Sequence, residues 1–325
     1  MESKSINTKT INSFVSSLRI GEQTTYNNLT VFPLYTDQSR DDGFTLLDDA
    51  IKTQKFTVTE IDESGSVPEL KAVNQLDTDV LIIDGEELLG AKQNRIVNTT
   101  IIIGKGKEVV VPVSCVEQGR WHYRSRKFSS SKSHLYAALR KEKADDVFHC
   151  LRSTGSFRSD QAKIWASIRA RADTFSVSSE TGAMNDIFDS YEDAIKNYED
   201  QFKLLSGQVG FIAVIRGKIA GLDIFGSRSV LPKVYNKLLR GYILDALNRG
   251  RIVREPAFSE GETEQSAGKN LIDEVNEFLK KVETAKKESF KSVGEGDELR
   301  FGNKQVNGFA LVNNEEIVHM AAFAE

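Results

Sequence analysis

Cysteine is scarce in this chain: Cys115 and Cys150 are its only two, and they form no CxxC pair. That excludes a disulfide framework and a paired-cysteine metal or redox motif, and it makes a reducing cytoplasm the expected compartment. His122, His134, His149 and His319 lack metal-ligand spacing, so no zinc site is expected. Five prolines and little low-complexity sequence argue against long disordered stretches. No apolar run reaches the ~18–20 residues that a membrane helix needs. The opening MESKSINTKTINSF has no apolar signal core, which argues against secretion. Neither sign of charge dominates: 43 basic and 47 acidic side chains leave a net charge of -4. No global basic field favours nucleic acid.

What is present is a composition ordinary for a globular chain, 39% hydrophobic and 28% charged over 325 residues. The expectation is one large domain over residues 10–325, open to subdivision near 130–160, behind a flexible 1–9. Strands are predicted at Leu29 to Leu34, Phe56 to Ile61, Asp79 to Asp84, Arg95 to Ile103 and Glu108 to Val116, and a short helix at Phe44 to Ile51. Helices are predicted at Ser133 to Cys150, Gln161 to Phe175 (capped by Ser159 or Asp160), Ile187 to Leu205, Pro232 to Leu247 and Leu271 to Phe290. Val209 to Ile215 and Ile219 to Phe225 form a hairpin around Arg216-Gly217-Lys218, and short strands with turns follow Glu298. Residues 256–268 are polar and read as a loop. Helices and strands come in blocks, which predicts α+β with antiparallel or mixed sheets packed on helices.

The densest polar stretch is DGEELLGAKQNRIVN, residues 84–98, after the apolar Val80 to Ile83. GEELLGAK nearly spells a phosphate loop. An alanine before Lys92 and Gln93 in place of Ser/Thr break it, and β-branched residues follow where a helix should start. A turn at Gly104 to Lys107 would pair Ile103 with Glu108 and bring CVEQGRW back beside KQNR. In that register Lys92, Asn94, Asn98, Cys115 and Glu117 share one face, and Gln93, Arg95, Gln118 and Arg120 the other. A one-residue slip would exchange members. Arg95 and Arg120 can fork onto phosphate or carboxylate. Glu117, or one of Glu86 and Glu87, can serve as base or metal ligand; adjacent strand residues point apart, so only one of the glutamates would face the site, the other being solvated. The competing reading is a buried ion-pair network.

Cys115 is a candidate nucleophile if Lys92, Arg95 or His122 activates it, and otherwise a small buried residue. Trp121 can stack on a ligand or cover core. Residues 120–127 are basic with interleaved aromatic side chains, which suits a nucleotide or an RNA segment, and the overall acidity favours the smaller ligand. Ser129, Ser130, Ser131 and Ser133 suggest a mobile lid. Asp223 and Ser227-Arg228-Ser229, ahead of a helix, suit either an anion or simple capping.

GEELLGAKQNR followed by VPVSCVEQGRW resembles the ARG and rhodanese-phosphatase-superfamily-associated protein family, where ARG denotes ADP-ribosylglycohydrolase. The likeness extends to Gln161 to Trp165 and to the segment ending Asp223 to Phe225 with the helix after it. Its matching positions are Glu86, Gln93, Asn94, Arg95, Asn98, Cys115, Glu117, Arg120 and Trp121. The resemblance implies a context of ADP-ribose or another NAD-derived nucleotide and assigns no catalytic residue. The expectation is therefore a hydrolase-type enzyme on a phosphorylated nucleotide or ADP-ribose-like molecule. Arg95 and Arg120 would hold its anionic group, with Lys92, Gln93, Asn94, Asn98 and Trp121 around it and Glu117, Glu86 or Cys115 reacting. The alternatives are a nucleotide sensor without turnover and a structural scaffold. No cofactor is indicated, membrane partners are not expected, and a homo-oligomer is compatible with everything above.

Overall fold

The structure is a computed structural model describing residues 2–40, 43–248 and 270–325. Its centre is a nine-stranded antiparallel sheet. The strand order along it is Arg19–Ile20, Leu29–Tyr35, Gly210–Ile215, Lys218–Phe225, Glu316–Ala324, Val306–Asn313, Asp297–Gly302 and Lys287–Lys291, with Thr24–Tyr26 beside Leu29–Tyr35. Alternation along each strand sorts its residues between two cores. Phe32, Ile212, Ile224 and Met320 pack under helices Glu2–Ser16 and Leu271–Thr284. Val31, Phe211, Phe225 and Leu311 face the other way, into a core shared with Leu231–Leu247. The fold is α+β.

On that second side lies a six-stranded sheet, ordered Phe128–His134, Glu86–Gly90, Arg95–Val97, Glu108–Cys115, Glu69–Asn74, Phe56–Glu60. It curls until its two edge strands approach, around an apolar filling that includes Phe56, Val58, Leu70, Leu88, Val97 and Val113. A three-stranded sheet, Ile101–Ile103, Val80–Ile82 and Thr45–Leu46, continues from it.

Several sequence expectations need correction. Arg95 to Ile103 is not one strand. Asn98 keeps its N–H on Pro112 O, but Pro112 has no N–H to return, and Thr99 and Thr100 leave the ladder; their side chains bond Phe157 O, Glu298 and His319, while Lys143 Nζ takes the carbonyls of Val97 and Asn98. Ile103 therefore pairs with Val80 rather than Glu108, and Glu108 pairs with Val73. The serines at 129–133 form strand Phe128–His134 against Glu86–Gly90 rather than a lid, and the next helix runs Ala137–Thr154. Ile187 to Leu205 divides into Met184–Ser190 and Glu192–Glu199 at Tyr191, whose hydroxyl bonds Phe175 O and whose ring meets the Phe175 ring edge-on. The helix at 271 stops at Thr284, where Lys287 Nζ caps the carbonyls of Val282, Glu283 and Ala285, and Lys287–Lys291 continues as a strand. The chain opens on helix Glu2–Ser16. The polar stretch 256–268 lies outside the described residues. Gln161–Phe175 matches its expected bounds, with Asp160 accepting from Ala162 N and Lys163 N. The turn at Arg216-Gly217 places both residues at positive φ, as a type I′ hairpin requires. Among the described residues no helix is long and apolar enough to cross a membrane.

A buried ionic knot joins the large sheet to the curled one. Arg140 forks onto Asp223 with two 2.8 Å bonds and reaches Asp84 at 3.4 Å. Lys143 pairs with Asp84, and Tyr242 Oη donates to Asp223 at 2.7 Å. His319 bridges Asp223 to Thr100, and Arg300 holds Glu298. Asp223 is thus neither a helix cap nor an anion site. Burial raises its pKa, but Arg140 and His319 outweigh burial and hold it well below the carboxylate range. Its stabilising contribution is therefore full above its ordinary value of 3.8 and is lost as pH falls. Asp223→Asn, which leaves Arg140 charged and half-paired, is expected to cost about 3–5 kcal/mol in urea unfolding and to flatten the acid limb of stability against pH.

Candidate functional site

Two sequence motifs do meet, in a register one residue away from the expected one. Val97 faces Val113, Ile96 faces Ser114 and Arg95 faces Cys115. The slip moves Cys115 to the face of Arg95 and Gln93, pointing into the curled sheet. Arg120 moves the other way, to Glu117 and Asn94.

Glu117 and Arg120 form a closed clip with no exposed side-chain surface. The Glu117 carboxylate accepts from Arg120 Nε (2.9 Å) and Nη2 (2.6 Å), Asn94 N (3.0 Å) and Thr181 Oγ1 (2.8 Å). Burial works to raise its pKa, but those hydrogen bonds prevail and lower it. Arg120 also donates to the carbonyls of Gly90, Ala91 and His122 and to Asn94 Oδ1. The clip thus fixes the loop at 90–94. Its base and its cation are both turned inward.

On the opposite face, Gln93 Oε1 accepts from Arg95 Nη1 (2.8 Å) and from the Cys115 thiol (2.9 Å), and its amide nitrogen donates to Glu117 O. Gln161 clasps the Cys115 backbone through both its N–H and its carbonyl. Burial pushes the thiol up to about 11 against the pull of Arg95, so at neutral pH it is not a thiolate. Lys92 Nζ bonds the carbonyls of Glu63 and Ser64 and lies 5.3 Å from the half-exposed Trp121 ring. Asn98 is spent on Phe157 O and Ser114, away from any ligand position.

Glu86 and Glu87 point apart, but both are buried, where one was expected in solvent. Glu86 is held by Lys237 Nζ and Ile83 N. Glu87 shares its strand face with Leu89, which lines a cavity of about 570 Å³. Asn94, Arg124, Ser125, Ser129 and Thr181 line it too, as do Glu180, Asn185, Asp186 and Asp189. Hollows of about 520 and 440 Å³ elsewhere contain none of the motif residues. Neither Glu87 oxygen has a partner in hydrogen-bond geometry, although Ser131 lies close enough to temper its pKa. Burial, with Asp189, Glu117 and Asp186 adding to it, pushes Glu87 up to about 8. Asp189 is raised as well, by burial and then by Asp186 and Glu192. Among the described residues, Asp84, Glu86, Glu117, Asp223 and Glu298 are about as buried as Glu87, and each sits in an ion pair. Glu87 does not. No group of three His, Cys, Asp or Glu among the described residues is placed to hold a metal ion.

Sequence reasoning missed Asp186, Asp189, Asn185, Ser179 and Thr181. They sit in a stretch before and within a short helix that carries no motif of its own, and contacts distant in sequence bring them to the motifs: the Glu117↔Ala183 bridge, Gly119 N to Thr181 O, Met184 N to Val116 O and Thr181 Oγ1 to Glu117. The thiol chemistry is directly checkable. Ellman's reagent at pH 8 should modify one thiol quickly, Cys150, whose pKa hydrogen bonds from Ser156 and Thr154 lower against burial. Cys115 should react only on unfolding, and Cys150→Ser should remove the fast phase. Two fast thiols would contradict this geometry.

No curated protein and no solved structure matches the chain. The family model of the ARG and Rhodanese-Phosphatase-superfamily-associated Protein domain matches residues 17–323. That span includes both halves of the ionic knot, the closed clip and every wall of the cavity. The chain belongs to the ARG and rhodanese-phosphatase-superfamily-associated protein family.

Proposed function

We propose that this protein is a hydrolase-type enzyme acting on a ribosylated, nucleotide-derived small molecule of the ADP-ribose class. The observation that carries the reading is Glu87, a fully buried carboxylate without an ion-pair partner, within electrostatic reach of Asp186 and Asp189 in the wall of an open cavity that it does not itself line. A buried carboxyl beside more exposed carboxylates keeps its proton near neutral pH while they stay in reach of solvent, which lets one site hold an acid and a base together. The cavity has the volume of a small-molecule site. Its wall of Ser178, Ser179, Thr181, Asn185 and Asp186 offers the acceptors and donors that sugar hydroxyls need. Arg124, more than half exposed on the rim, is suited to a phosphate. The family's association with ADP-ribosylglycohydrolases agrees with that substrate class.

In this reading Asp189, at the cavity surface, exchanges protons with the substrate or an attacking water. Glu87 behind it keeps a proton available, and Glu117–Arg120 holds Asn94 in the wall. The roles first given to Glu117 as base and Arg120 as anion clamp pass to Asp189 and Arg124. With turnover of ADP-ribose, NAD and an ADP-ribosylated peptide followed by chromatography, Asp189→Asn is expected to lower kcat by about 10²–10⁴. Glu87→Gln should remove the basic limb of the pH profile, which in the parent falls through about 8. Full turnover in both variants would remove the carboxylate cluster from the chemistry. A ligand that raises the melting temperature yet is recovered unchanged would instead support a sensor.

The same charge has a stability signature. The folded pKa of Glu87 is raised from 4.5 to about 8. Its contribution is therefore full below 4.5 and is lost as pH rises through about 8. Glu87→Gln should melt no lower than the parent at pH 9, and relatively higher there than at pH 5.

A further inference from the structure

We propose that Arg95 forms the floor of a second ligand site, an oxyanion subsite closed by the loop at residues 61–67. Arg95 does not line the cavity described above, and the proposal does not rest on turnover there. Its side chain is fully buried at the end of the curled sheet, yet only Nη1 is engaged, with Gln93. Nε and Nη2, the two parallel donors of one edge of the guanidinium, meet no protein acceptor. Arg120, equally buried, uses all its nitrogens on protein oxygens. A buried guanidinium with a free fork is costly unless something with two oxygens fills it.

The surrounding charges leave room for one anion. Lys92 and Arg95 carry two positive charges, Glu60 supplies one negative charge, and the Cys115 thiol is neutral. Glu117 is already neutralised by Arg120. The cover is thin and latched by polar contacts. Lys92 Nζ donates to Glu63 O and Ser64 O at 2.7 Å each, and Arg126 grips the Glu63 carboxylate with two 2.8 Å bonds from the exposed side. Gly65, at φ +75°, presses so closely that a Cβ there would come within 3.2 Å of Lys92 and 3.4 Å of Glu60 and Trp121. The Trp121 ring, 5.5 Å from the Arg95 guanidinium, makes the flat side wall. Loop, latch and fork together describe a small oxyanion, a phosphate or a carboxylate, taken up when the loop lifts.

Full-length Trp165→Phe protein keeps Trp121 as its single tryptophan reporter. Fluorescence titrations with inorganic phosphate, pyrophosphate and oxalate, at ionic strength matched with chloride, test the site; the phosphate and oxalate arms separate the two anion classes. Saturable quenching is expected with at least one probe. Arg126→Ala, which loosens the latch without touching the fork, should bind at least as tightly and faster. Arg95→Lys, which keeps the charge and loses the fork, should bind at least tenfold more weakly, and Asp189→Asn should bind like the parent. No saturable response in either the parent or Arg126→Ala overturns the proposal, and so does equal affinity in a folded Arg95→Lys. Because no substrate is turned over, either failure leaves the cavity reading standing.

Discussion

The fork of Arg140 on Asp223 is the constraint from which the rest of this structure follows. Asp223 belongs to the large sheet and Arg140 to the helix that covers it, and Asp84, reached by the same guanidinium, opens the motif of the curled sheet. Buried charges tolerate no misalignment, because a partner displaced by an ångström leaves its counterpart uncompensated. Lys143, one turn beyond Arg140, extends the knot to Asp84 and to the carbonyls of Val97 and Asn98. That contact ends the strand at Val97 and sends Ile101–Ile103 to another sheet, so the geometry of the motif is set from the far side of the molecule.

This explains what was legible in the sequence. Gln161–Phe175 and the Arg216-Gly217 hairpin came out at or near their expected bounds because local signals decide them: an aspartate cap, and a turn needing two positive φ values. Residues 95–103 are β-branched throughout, and local propensity reads them as one strand. Their division depends on Glu298, His319 and Lys143, which lie from about forty to more than two hundred positions away, and no periodicity carries that. Helices ending at Tyr191 and Thr284 were overrun for the same reason: an aromatic contact to Phe175 and the Lys287 ammonium stop them.

The site was half legible. The meeting of KQNR with CVEQGRW was visible from charge density and a turn, although the slip by one residue exchanged Cys115 and Arg120 between faces. Density alone does not separate a ligand site from a network that satisfies itself. Glu117 and Arg120 satisfy each other, Gln93 and Asn98 are spent on protein atoms, and within the two motifs Glu87 on one face and the Arg95 fork on the other keep unmet hydrogen-bonding capacity. Unmet hydrogen-bonding capacity, rather than polarity, distinguishes the chemical positions here. It becomes visible only when every donor and acceptor has been placed.

The functional account thus turns on one carboxyl group. The ionic knot holds the strand that carries Glu87, the Glu117–Arg120 clip shapes the wall beside it, and burial, with Asp189, Glu117 and Asp186 adding to it, disfavours its ionisation. Infrared difference spectroscopy of the parent against Glu87→Gln measures that group itself. A protonated carboxylic acid C=O band is expected to persist at neutral pH and to disappear with a midpoint near 8. A band already absent at pH 6 would show an ionised Glu87 and contradict the account at its centre.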